Sequence, residues 1–170
     1  MPREASDYTP HLDETEEHFE GRGRPVLLAL STFRHSDAAI EFATVKAAEG
    51  RDLVLAYIAD FNLARYYIGT DVGLYPELQE QTRHELLEQH KHQADARAAE
   101  LAERLRDRGV TVRVYVSIGR FAEQCLALVE KEHPDIIVTT RSERPKWVKK
   151  FFGSPVDRLR KKTDCPVIEK

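Results

Sequence analysis

Beyond residue 24, apolar and polar positions in this chain follow two alternating rhythms. Pro25-Val26-Leu27-Leu28-Ala29-Leu30 has no polar member, as expected of a strand buried on both faces. Ser36 or Asp37 then offers a helix cap, and Ala39, Ile40, Phe42, Ala43 and Ala47 recur at helical spacing up to Gly50. Leu53-Val54-Leu55-Ala56-Tyr57-Ile58 repeats the buried-strand pattern, and an irregular stretch rich in Tyr and Gly runs from Asn62 to Pro76. A long helix is predicted to about Arg108, with Leu86, Leu87, Ala94, Ala98, Leu101 and Leu105 on one side and Gly109 as its stop. Val110 to Val116 alternates strictly, which predicts a strand with one wetter face, nearer a sheet edge. Gly119 is expected to open a helix carrying Phe121, Cys125, Leu128 and Val129 inward. His133-Pro134-Asp135 turns into Ile136-Ile137-Val138. A loop, a helix entered at Gly153-Ser154-Pro155 and the run Cys165-Pro166-Val167-Ile168 close the pattern.

Strand–helix alternation of this kind forces parallel strands joined by right-handed crossovers, with helices on both faces. The expected class is α/β: a five-stranded parallel sheet in a three-layer α/β/α sandwich. Ligands of such sheets bind beyond the carboxyl ends of the strands, where the strand order reverses. Here that means the residues after Leu30, Ile58 and Val138. At 170 residues the chain is one domain of ordinary size, expected over residues 25–170. Residues 1–24, with seven acids and three arginines, are expected to form a flexible acidic arm.

Composition narrows the function classes. A charged content of 32% beside 41% hydrophobic residues describes a soluble globular protein. No apolar run approaches the ~20 residues of a membrane span, and the expected location is the cytoplasm. A net charge of −3 argues against a nucleic-acid partner. Residues 141–162 nevertheless hold nine basic residues against two acids, so an anionic partner stays in view. The patch comprises Arg141, Arg144, Lys146, Lys149 and Lys150. Cys125 and Cys165 lie in apolar segments without ligand spacing and are expected to pack rather than react.

The segments VLLALSTFRHSDAAIEFA, DLVLAYIAD, VTVRVYVSIGRFAEQCLALVEKEHPDIIV and FFGSPVDRLRKKTDCPVIEK resemble, in order and spacing, the universal stress protein family. The resemblance runs from Pro25 to Lys170 and implies a Rossmann-like fold related to the adenine nucleotide alpha hydrolases. The final CPVIEK looks like the family strand that pairs two subunits, which implies a homodimer through Val167 and Ile168. ATP-binding members carry an aspartate after the first strand and a loop of the form G-x2-G-x9-G-[S/T]. In this chain the aspartate position is Ser31, the first two glycines are Thr140 and Glu143, and only Gly153 and Ser154 remain. Ile58 falls at the pocket position that closes the second strand.

Each departure has a physical meaning. Thr140 and Glu143 add bulk and restrict φ where glycine lets backbone approach a phosphate. Glu143 also places a carboxylate where a triphosphate would run. Pro155 suits the first turn of a helix but has no N–H to donate. Asp157 stands three residues after Ser154, as in a capping box, which would satisfy the helix start internally. Basic side chains in the loop can substitute for lost amides as phosphate partners.

Other features have plainer readings. His84, His90 and His92 lack the i, i+4 spacing of a helical metal site and suit a solvated face. Trp147-Val148-Lys149-Lys150-Phe151-Phe152 could form a membrane-surface or partner patch, but the family resemblance implies packing beneath the loop, with Trp147 the residue best placed to stay outside. No catalytic set and no metal site emerge from spacing. The sequence therefore points to a non-enzymatic homodimer with a lost or remodelled nucleotide pocket, acting through a further protein and needing no cofactor. The alternative is a sensor of ATP, AMP or another phosphate ligand that uses the basic side chains. A slow ATPase is a third and weaker reading, with no residue to assign to its water or its Mg²⁺.

Overall fold

The computed structural model describes residues 23–31, 36–60, 76–141 and 153–170. Five strands form one sheet: β1 (Gly23–Ser31), β2 (Arg51–Asp60), β3 (Val112–Gly119), β4 (Ile136–Thr139) and β5 (Val167–Glu169). The described helices are α1 (Asp37–Ala47), α2 (Pro76–Asp107), α3 (Phe121–Glu132) and α4 (Pro155–Lys162). Strand order is β3-β2-β1-β4-β5, with all four pairings parallel. The fold is the expected five-stranded α/β sandwich.

Strand alternation sends successive side chains to opposite faces and so builds two cores. Val26, Leu28, Leu30, Leu53, Leu55, Tyr57 and Val138 pack with Ala39 and Ala43 of α1 and Ala98 and Leu105 of α2. Leu27, Ala29, Val54, Ala56, Ile58 and Ile137 pack on the other side with Phe121 and Cys125 of α3 and Leu159 of α4. Residues 26–30 are wholly buried, because β1 has a strand on each side and a helical layer on each face.

Several boundaries differ from expectation. Gly23 and Arg24 open β1 rather than close the arm, and Arg24 donates to the carbonyls of His133 and Pro134 at the base of β4. β2 runs on to Asp60. Gly119 ends β3 instead of starting a helix, and Arg120 is the N-cap of α3. β3 stands at the sheet edge, as its alternation implies. Residues 1–22 and the expected irregular stretch from 62 to 75 lie outside the described residues.

Candidate functional site

Strand order reverses between β1 and β4. β1 leads through α1 to β2 on one side, while β4 joins β1 on the other. Crossover connections therefore diverge at the carboxyl ends of these two strands, the place where sheets of this kind bind ligands. Register places Ser31 beside Ile58, and Ala29 beside Thr139, so the ends of β2, β1 and β4 form one rim.

Three polar residues on that rim are almost fully enclosed: Ser31, Thr139 and Asp60, at 4%, 3% and 1% exposure. The Asp60 carboxylate closes β2 and lies near the thiol of α3's Cys125. Burial first, and the Asp60 charge second, push that thiol well above its ordinary range. A thiol held protonated in this way is a packing group, not a nucleophile. Asp60 escapes sequence reading because the apolar run is complete at Ile58. An acid directly following such a run is the signal for it.

Thr140, the residue expected in place of the first loop glycine, follows β4. Its Oγ1 is enclosed and has no hydrogen-bond partner among the described residues. An unsatisfied buried hydroxyl carries a desolvation cost of about 1–3 kcal/mol. Its Cβ and methyl also occupy volume that a glycine would leave open. The next residue, Arg141, is exposed, and its amide donates to the Lys170 carbonyl at 2.8 Å.

Gly153 has φ +70, a left-handed conformation that glycine adopts without strain, with nothing within 4 Å of where a Cβ would stand. Ser154 caps α4, accepting from the Asp157 amide at 3.4 Å, with Pro155 in the first turn. The Asp157 carboxylate is directed at Arg160, 3.5 Å away. The Ser154 oxygen thus serves as acceptor for its own helix start. Glu143, Arg144, Lys146, Trp147, Lys149 and Lys150 lie outside the described residues.

One further residue at this end is not apparent from sequence. Lys170 donates its amide to Thr139, and its carbonyl accepts from Arg141 N and from Ser36 Oγ at 3.0 Å. Its ammonium stands 4.8 Å from the Phe42 ring centre. The end of β5 thereby ties α1 to the exit of β4. Val167 and Ile168 pair with Ile137 and Val138 on the inner edge of β5 and are half-buried.

Among the described residues, no group of three or more His, Cys, Asp or Glu is placed to hold a metal. No described helix is long and apolar enough to cross a membrane.

The universal stress protein family profile matches residues 23–168. No curated protein matches the chain in sequence. Among solved structures, the universal stress protein UspA from Lactobacillus plantarum is similar at 18% identity and TM-score 0.62, over 86% of this chain and 97% of that one. The hypothetical protein MJ0577 is similar at 19% identity and TM-score 0.58, over 86% and 94%. A universal stress protein in complex with cAMP is similar at 13% identity and TM-score 0.55, over 86% and 96%. At these identities the likeness is one of fold.

Proposed function

The chain belongs to the universal stress protein family, and from that premise we propose that it is a non-enzymatic regulatory member whose nucleotide cleft has been remodelled. It acts as a homodimer through β5 and through contact with a further protein. The observation that carries this reading is Thr140. A side chain fills the place of a loop glycine at the switch point, and the Ser154 oxygen at the start of α4 already accepts from the Asp157 amide. The losses compound one another. Ser31 offers a short hydroxyl where ATP-binding members present a carboxylate, and Pro155 has no amide to give.

Calorimetric titration of nucleotide-free protein with Mg·ATP, repeated with AMP, tests the reading. No heat with ATP is expected. A micromolar dissociation constant for ATP would overturn the loss of the triphosphate site.

One observation favours a second reading, a sensor for AMP or a related phosphate ligand. Among the described residues the enclosed Thr140 hydroxyl has no partner, and a bound ligand could supply one. Among structures of like fold, one is a universal stress protein in complex with cAMP. On this reading AMP binds with salt-sensitive affinity. Thr140→Val, which keeps the volume and removes the hydroxyl, weakens it, as does charge reversal at Lys149 and Lys150. Binding unchanged in all three variants would exclude it.

A further inference from the structure

A parallel strand turns alternate residues' N–H and C=O toward opposite edges. On β5 the groups of Pro166 and Lys170 face β4: Ile137 N donates to Pro166 O, and Lys170 N donates to Thr139 O. By alternation, the backbone groups of Val167 and Glu169 face outward along an edge that no further strand covers among the described residues. Such an edge is self-complementary. Two copies meeting antiparallel about Ile168 would place Val167 opposite Glu169 and exchange their outward N–H and C=O groups.

That edge is already occupied. From the last turn of α4, the Arg160 guanidinium donates to the outward Val167 carbonyl at 3.3 Å and to the Glu169 carboxylate at 3.0 Å. The same side chain also meets Asp157. One nitrogen, Nη2, thus holds both an acceptor that a second copy would need and the side chain beside it, while Nη1 faces Asp157 and orients the group. The surroundings add to the effect. Residues 155–170 carry five basic residues, Arg158, Arg160, Lys161, Lys162 and Lys170, against three acids, Asp157, Asp164 and Glu169. A second copy would therefore approach against like charge.

We infer that Arg160 is a clip on the β5 edge that opposes pairing with a second copy of this chain, so that dimerisation through β5 is set by ionic strength. Salt weakens the exposed Arg160–Glu169 pair and screens the repulsion between copies, and both effects release the edge. The inference rests on the proposed dimer through β5.

Analytical ultracentrifugation of the full chain, at low and high NaCl, tests it with three variants. Arg160→Ala is expected to tighten the dimer about five- to tenfold at low salt, since each dimer sheds two clips. It should also lose most of the salt dependence. Arg160→Lys is expected to fall between, because an ammonium lacks the second nitrogen that meets Asp157 while the first serves Val167 and Glu169. Val167→Pro removes an outward N–H without touching the bonds to β4, and is expected to abolish the dimer in either background. Dimers of equal affinity in wild type and Arg160→Ala, both abolished by Val167→Pro, would overturn the clip and leave the dimer standing. A dimer insensitive to Val167→Pro, or none in any variant, would overturn the pairing at β5 and the clip with it. A monomeric wild type beside a dimeric Arg160→Ala would support the clip while removing the constitutive dimer from the proposed function.

Discussion

Tyr115 shows how one side chain can gain a distinct chemistry with no part in the cleft. It lies on β3 facing α3, donates its hydroxyl to Glu132, and has the Lys131 ammonium 5.2 Å from its ring centre. Arg113 holds the other Glu132 oxygen at 2.9 Å, so one carboxylate, nearly enclosed, serves two donors. Burial first, then the bond to Glu132 and its charge, push the phenol up to about 12, against a smaller opposing effect of Arg113. Since the folded protein holds this proton more tightly than the unfolded chain does, the contribution to stability is complete below about pH 10. It is lost as pH rises through about 12. Phenolate absorbance should show one tyrosine ionising well after the ordinary ones, and Tyr115→Phe should abolish that late step. The variant should also lose about 1 kcal/mol at neutral pH, from a missing hydrogen bond to an enclosed carboxylate. A late step that survives in Tyr115→Phe would assign the shift to another residue.

At the scale of elements, α1 rests on one serine. Ser36 is its N-cap, accepting from Ala39 N at 3.1 Å, while its hydroxyl hydrogen goes to Lys170 O across the sheet. Ser36→Ala should lower stability by about 1 kcal/mol, the ordinary worth of such a cap. Ser36→Asp, which restores the cap but cannot donate to Lys170, should recover most but not all of it in urea unfolding. Equal stability of the two variants would show that the cap contributes nothing. The cap was legible in sequence as a choice between Ser36 and Asp37, because capping chemistry is local. The Lys170 contact was not, because it joins residues far apart in the chain that only strand order brings together. The same distinction separates β3 from Gly119. Alternation in Val110 to Val116 announced an edge strand, whereas a glycine before an amphipathic helix suits either a cap or a strand end, and tertiary pairing with Asp60 decides for the strand.

For the whole molecule, continuous apolar runs made the central strands and their parallel order readable, because burial on both faces leaves few alternatives. The candidate site was readable as a place, since the switch point follows from topology, but not as a state of each group. The enclosure of Asp60 and of the Thr140 hydroxyl, and the contacts of Arg160, depend on which side chains meet after folding. Layering also sets how the molecule opens. β1 is covered on four sides, whereas β5 has three residues and one neighbouring strand. Amides from Val26 to Leu30 should therefore exchange only with global unfolding, and those of β5 at least about a hundredfold faster through local opening. Within β5 the two kinds of amide differ further. Lys170, bonded to β4, should exchange at a rate independent of protein concentration, while the outward amides of Val167 and Glu169 should slow as concentration rises if the edge pairs with a second copy. Residue-resolved exchange at two concentrations separates these cases. Protection rising equally at Lys170, Val167 and Glu169 would mean that association stiffens the domain as a whole, and the edge would not be the place where two copies meet.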